Sequence, residues 1–183
     1  MRDKSMELDQ AQNKNFVAVD QMIIRPLEKK DLPALEWNGE FIHFRNVFAD
    51  VYKKVEKGTV RAWVAVTPEA EMIGQVFLQL SSDRLELADG WSRAYLYSLR
   101  VKPQYQNLGI GSRLISVVED TLRKMNYTQV TLNVSRENQR AIRLYVRLGF
   151  KIVAEEAGIW SYPDHKGIWQ TVTDPSWRME KNL

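Results

Sequence analysis

The stretch Leu99-Arg100-Val101-Lys102-Pro103-Gln104-Tyr105-Gln106-Asn107-Leu108-Gly109-Ile110-Gly111-Ser112 decides how this chain is read. The run from Ala94 to Val101 predicts a strand, and it feeds a turn at Lys102 to Asn107. From Ile110 apolar residues recur at helical spacing through Leu114, Val117, Val118, Leu122 and Met125, so a helix to about Asn126 follows. A helix that opens on a glycine-bearing turn presents unpaired backbone N–H groups at the positive end of its dipole, which suits an anion. Gly109 and Gly111 carry no side chain to fend off a phosphate, and a pyrophosphate fits such a turn. The chain contains no Gly-Lys dipeptide, which excludes nucleotide hydrolysis of the P-loop type. Only G-x-G of the dinucleotide fingerprint is present, and a turn that merely lets helix and strand pack is an equal reading of this loop alone.

Working outward, Met22 to Arg25 reads as a short strand, and Asp31 as the N-cap of a first helix with Pro33 in its opening turn. A second helix is expected from about His43 to Lys57, ended by Gly58. Val60 to Val66 and Met72 to Leu80 read as strands that precede Ala94 to Val101, two of the three forming a hairpin. Beyond the central helix come a strand at Val130 to Val134 and a helix over 138–148. Phe150 to Val153 and Trp177 to Met179 can close a sheet, with Trp160 to Pro163 as an aromatic link. This order predicts an α/β (α+β) protein with a mixed sheet and helices on both faces. Residues 1–21 read as a polar extension and 22–183 as a single domain, a size suited to one core.

The 183 residues include no cysteine and two histidines, which removes thiol nucleophiles, thiolate metal sites and disulfides, so no metal is expected. No apolar run approaches a membrane span and the N-terminus has no signal-peptide core, so a cytoplasmic protein without membrane contact is the expectation. The net charge of +3 is unevenly placed. Residues 100–151 hold ten Lys or Arg against three Asp or Glu, while the remainder is net acidic. An anionic ligand near this segment and solvated helix faces explain that surplus equally well. Acidic residues outnumber basic ones elsewhere and no nucleic-acid motif appears, so nucleic acid is not the expected partner.

A second pattern lies 27 residues beyond Gly111: Asn138, Ala141, Leu144, Tyr145, Gly149 and Phe150, behind the strand Val130-Thr131-Leu132-Asn133-Val134. Together the two stretches closely resemble the GNAT superfamily of N-acetyltransferases. Its acyl-CoA motif Q/R-x-x-G-x-G/A is matched by Gln106, Gly109 and Gly111, and N-x-x-A-x-x-L-Y-x-x-x-G-F is matched at every fixed position. The resemblance implies a mostly antiparallel central sheet of about six or seven strands flanked by about four helices. It also implies acetyl-CoA as acyl donor and an amine acceptor, small molecule or peptide. Family members often dimerise, so a homodimer is compatible with it.

By position, the resemblance places the pantetheine arm against the backbone of Leu99, Arg100 and Val101. Gln106, Asn107, Leu108, Gly109, Ile110, Gly111 and Ser112 would hold the pyrophosphate, with Arg113, Arg140 or Arg143 near the phospho-ADP end. Asn138 would bind the cofactor arm, a role compatible with an ordinary helix N-cap. Tyr145 matches the general acid that protonates the departing thiolate, although on the residues alone it reads as a core aromatic. Ordinary pKa values of ~10 and ~8.5 make full proton transfer uphill by about 2 kcal/mol, so hydrogen bonding to the thiolate is the expected role. Without cysteine, the expected route is direct attack of the amine on the thioester, with the carbonyl oxygen held by an N–H near Val101.

The chain departs from one branch of that superfamily, the ribosomal-protein N-terminal acetyltransferases, which carry a glutamate base where this sequence has Asn133. Glu40, His43, Glu86 and Asp89 remain as candidate bases, each also an ordinary surface charge. Trp37, Phe41, Phe44, Trp91, Trp160, Tyr162 and Trp169 fall where the family shapes its acceptor side, and filling the core is an equal reading for them. A CoA-binding regulatory module that lacks a base is the alternative to an active enzyme.

Overall fold

The computed structural model describes residues 19–183. Its main sheet has seven strands in the order β1-β2-β3-β4-β5-β9-β6. These are β1 Ile23–Pro26, β2 Val60–Val66, β3 Met72–Gln79, β4 Arg93–Val101, β5 Gln129–Ser135, β6 Lys151–Glu156 and β9 Ser176–Asn182. Neighbours pair antiparallel except β4 with β5. That parallel pair needs a crossover, supplied by the central helix. The expected hairpin is thus part of a longer antiparallel meander from β1 to β4. β7 Ile159–Pro163 and β8 Trp169–Thr173 form a separate two-stranded hairpin, so Trp160 to Pro163 is a strand and not a linking segment.

Three α-helices lie among the described residues: α1 Arg45–Glu56, α2 Ile110–Lys124 and α3 Gln139–Arg147. The apolar stripe of α2, with Ile110, Leu114, Ile115, Val118 and Leu122 buried, packs with Ile73, Leu78, Leu96 and Leu132, and Tyr145 and Phe150 join the same cluster. Phe48 and Val51 of α1 join Leu35, Val60, Val64 and Phe77 in a second cluster. Val64 and Ala65, adjacent on β2, fall in different clusters, as the two-residue repeat of a strand buried on both faces requires.

The first expected helix, the fourth of those flanking the sheet, winds as 3-10 turns within Lys29–Gly39 that are interrupted by a kink at Trp37 and Asn38. Its N-cap is Glu28 and not Asp31. Asp31 lies one turn in, accepts the Glu28 N–H at 2.8 Å and takes a bidentate pair from Arg25 at 2.6 and 2.9 Å. Residues 42–44 form a further 3-10 turn, so α1 begins two residues after His43. Of the expected polar extension, residues 1–18 lie outside the described residues. Val19 is buried, and its carbonyl accepts Arg113 Nη1 at 3.0 Å.

Candidate active site

The β3–β4 ladder pairs Gln75 with Arg100 and Phe77 with Tyr97, so Val76 alone faces both Ser98 and Leu99. This is a β-bulge, and Ser98 takes a left-handed φ of 52° within it. Gln75, fully buried, donates from Nε2 to the Ser98 hydroxyl at 3.3 Å. Parallel pairing with β5 stops at Leu96 opposite Leu132, two residues before the bulge. From Tyr97 onward the β4 edge therefore has no strand partner on the β5 side, and a groove of about 990 Å³ lies against it.

One wall of that groove is the loop at the start of α2. Asn107 and Gly109 both adopt positive φ, 65° and 82°, turning the chain so that its amides face outward. Among the described residues the N–H groups of 107–112 meet no acceptor, and the first amide to reach back is that of Arg113, to the Gly109 carbonyl at 3.1 Å. A Cβ placed on Gly109 would meet no atom within 4 Å, so the space over it is open. Gly74 on β3 serves packing instead, since a Cβ there would lie 3.1 Å from the Arg100 carbonyl and 3.3 Å from Ile110 and Leu114. Glu71 anchors the turn by accepting from Lys102 Nζ at 2.9 Å and the Tyr105 hydroxyl at 2.8 Å.

The opposite wall is α3. The Asn138 Oδ1 caps this helix by accepting the Ala141 N–H at 3.0 Å. Arg140 donates to the Gln106 side chain and, at 2.8 Å, to Asn107 Oδ1, and so bridges the helix and the loop. Arg143 and Arg147 line the groove with it. Arg147 was missed in the sequence, although 140, 143 and 147 share one helical face, a spacing that was readable. Arg113, by contrast, is engaged with Val19.

Tyr145 lines the groove although it is 7% exposed, packed edge-on against Phe150 with ring centroids 5.6 Å apart. Burial, with Tyr95 nearby, raises its pKa above the ordinary tyrosine value. The phenol therefore stays protonated near neutrality, and no other described residue takes a hydrogen bond from it.

Of the residues singled out in the sequence, Leu99, Arg100, Val101, Gln106, Asn107, Gly109, Ile110, Gly111, Ser112, Asn138 and Tyr145 all line this groove. Leu108 does not line it and packs against the core instead. Trp37, Glu40 and Phe41 also border it. Phe44, Trp160 and Tyr162 continue the aromatic wall behind Phe41, with Phe44 and Tyr162 centroids 4.8 Å apart. Trp91 is 68% exposed beside the Asp89 turn, at the far end of β4, and takes no part in that wall. Trp169 is exposed on the β7–β8 hairpin.

The candidate bases separate on geometry. Glu40 borders the groove, while His43 packs on Phe44 at 4.1 Å between centroids. Glu86 is held by Arg84 at 2.7 Å, away from the groove. Burial would raise the Asp89 pKa, but the Ser92 hydroxyl and the N–H groups of Trp91, Ser92 and Arg93 outweigh it and hold the carboxyl well below the usual range. Asp89 is a turn-former. The Asn133 Oδ1 is buried without a hydrogen-bond partner among the described residues.

Among the described residues no helix is long and apolar enough to cross a membrane, and no group of three His, Asp or Glu is placed to hold a metal. The ribosomal-protein-S18-alanine N-acetyltransferase of Escherichia coli has a similar fold, with a TM-score of 0.66 at 23% identity over 88% of this chain and 94% of that one. An Arabidopsis thaliana NAA60 structure in complex with acetyl-CoA superposes with a TM-score of 0.68 at 24% identity, over 88% and 98% of the two chains. In sequence, the [ribosomal protein bS18]-alanine N-acetyltransferase of Escherichia coli K12 is 39% identical over 57 residues, 31% of this chain and 38% of that one. A thialysine N-epsilon-acetyltransferase from Bos taurus is 38% identical over 64 residues, 35% and 38% of the two chains. The matches to such curated relatives cover well under two thirds of their length. The acetyltransferase (GNAT) family model matches residues 24–150, more than half of the chain and all of the groove from Trp37 to Arg147, and the chain belongs to that family.

Proposed function

We propose that this protein transfers an acetyl group directly from acetyl-CoA to a primary amine of a small molecule or peptide. The observation that carries this reading is the juxtaposition of a β4 edge without a strand partner, six amides at 107–112 that meet no acceptor among the described residues, and Tyr145 along one groove. The amides, at a helix N-terminus with open space over Gly109, suit a pyrophosphate. The β4 edge at Leu99 to Val101 offers backbone groups to the amide-bearing arm in the manner of an added strand. Arg140, Arg143 and Arg147 supply positive charge at the same mouth.

Acetyl-CoA supplies an activated acetyl group. The amine nitrogen bonds to its carbonyl carbon, the C–S bond breaks, the ammonium proton leaves to solvent or a base, and the thiolate takes a proton. Tyr145 acts by donating a hydrogen bond to the sulfur as charge develops there. Its raised pKa makes complete transfer of its own proton less favourable. Both substrates are bound together, since the chain has no cysteine to carry the acyl group.

The test is a melting curve with and without millimolar acetyl-CoA, followed by thiol release across a panel of amines. Stabilisation with steady turnover on some amine is expected. Stabilisation without turnover on any amine identifies the CoA-binding module instead, and no stabilisation removes both readings.

A further inference from the structure

Two polar donors on the groove wall are left over by the catalytic reading. The Arg100 side chain reaches from the bulged end of β4 across the face of Phe41, its guanidinium carbon 4.1 Å from that ring centroid and 5.2 Å from Phe44. Its Nη1 is sealed from solvent and has no hydrogen-bond partner, and no carboxylate pairs with it among the described residues. The Trp37 indole Nε1 is likewise buried without a hydrogen-bond partner among the described residues, and its ring packs edge-on against the same Phe41 at 5.2 Å. Both residues border the groove. The desolvated guanidinium has its pKa pushed down to about 10 by burial, with Glu40 acting in the opposite sense, and it remains charged at neutral pH.

A buried cationic donor without a partner costs more than a neutral one, and two such donors around one ring are not explained by packing. The turn that carries Trp37 passes through left-handed φ values at Trp37 and Asn38, 47° and 59°. Such a conformation is strained, and because both donor atoms are sealed, an entering group pairs with them only after the indole N–H and the guanidinium turn toward it.

Resting on the acetyltransferase reading, we propose that the acceptor amine carries a carboxylate of its own, bound by the Arg100 guanidinium with the Trp37 indole N–H as second donor. Arginine's planar fork matches a carboxylate, and the Phe41 and Phe44 faces exclude the water that would compete for it. Glu40 places the opposite charge on the same wall, the arrangement a zwitterion requires. A polycation such as spermidine meets Arg100 as a like charge and is disfavoured. The carboxylate comes either from the main chain of a free amino acid or from an acidic side chain next to a peptide N-terminus.

The experiment titrates the full chain, saturated with CoA, calorimetrically with leucine and phenylalanine, their carboxamides, the dipeptide amides Ala-Asp and Ala-Asn, and spermidine. Thiol release from acetyl-CoA is followed with the same set, free of protein thiol background. An acid in one of the pairs binds, and is turned over, about 10- to 100-fold better than its amide, as loss of a hydrogen bond to a charged group predicts. Preference within the amino-acid pairs identifies the main-chain carboxylate, and preference within the dipeptide pair the side-chain one. Arg100→Leu collapses the acid-to-amide ratio toward one, and Trp37→Phe, which keeps the ring and removes only the donor, lowers it. If the wild-type protein binds amides or spermidine as well as acids, or shows no acid-selective binding at all, the proposal is overturned. A folded Arg100→Leu protein with an undiminished ratio overturns it too. If acetyl-CoA gives neither stabilisation nor thiol with any amine, the acetyltransferase reading itself falls, which is a distinct result.

Discussion

Gly109→Ala separates the backbone cost of the loop from its proposed anion contact. Gly109 sits at φ 82°, and an alanine held there carries a left-handed penalty of about 1 kcal/mol. For a chain of this length that lowers the melting temperature by about 2–4 °C. Gly58, at φ 77° beyond the end of α1 and with no atom within 4 Å of where a Cβ would stand, has the same backbone problem and no place in the groove. Gly58→Ala is therefore the matched control, with a similar thermal loss. Only at Gly109 does the new methyl stand where a phosphate would approach the amides. Losing one charge-assisted hydrogen bond of about 1.5–3 kcal/mol raises the acetyl-CoA dissociation constant by at least about tenfold. With ligand at 100 times the wild-type dissociation constant, stabilisation drops from about 2.7 to about 1.4 kcal/mol, so the ligand-induced melting shift is roughly halved. Melting curves of the three proteins at that one concentration read both quantities together. Should Gly109→Ala keep the full ligand-induced shift while losing as much intrinsic stability as Gly58→Ala, the loop is not a phosphate cradle.

Tyr145→Phe is expected to lower kcat by about 10- to 100-fold while changing the acetyl-CoA KM much less, and steady-state kinetics with an unchanged kcat would remove the hydroxyl from the mechanism. Because its pKa lies above the ordinary tyrosine value, kcat should show no alkaline loss from this group below pH about 10. Arg140→Ala, by freeing Gln106 and Asn107, should raise the acetyl-CoA KM several-fold, and direct titration giving a wild-type dissociation constant would contradict that. At Asp31 and Asp89 burial opposes ionisation, but hydrogen bonds and, at Asp31, the Arg25 charge prevail, and both folded pKa values are lowered. Their contribution to stability is therefore complete above the unfolded value of about 3.9 and drains as pH falls through the folded values. Denaturant titrations should show Asp89→Asn less stable at pH about 5 but flatter than wild type below pH about 4, and parallel curves would exclude Asp89 as a source of acid lability.

Much of the site was legible because it is local. Gln106 to Ser112 and Asn138 to Tyr145 are contiguous runs whose spacing sets loop, cap and helix face, and the structure brings them onto one groove. Leu108 was the exception, since a loop residue's inward or outward aim depends on the core beneath it. Glu71 carries no local signal for a related reason: its partners Lys102 and Tyr105 lie 31 and 34 residues away and share no motif with it. Trp91 falls in a segment that the family resemblance places on the acceptor side, but Asp89 folds that turn at the opposite end of β4.

By itself, the sequence determined the positions of β2 to β5, α2 and α3, the glycine turn before α2, the basic surplus over residues 100–151 and the absence of any protein thiol. These are set by periodicity, turn chemistry and composition, which act between near neighbours along the chain. Only the tertiary structure decided that β9 inserts between β5 and β6, that β7 and β8 leave the main sheet, and that residues 29–39 wind as 3-10 turns broken by a kink at Trp37 and Asn38. It alone parts β4 from β5 at the Ser98 bulge and sets Arg100 and Trp37 around Phe41. Strand order and the meeting of distant side chains follow from how all the apolar faces are buried at once, and no local stretch of residues records that outcome.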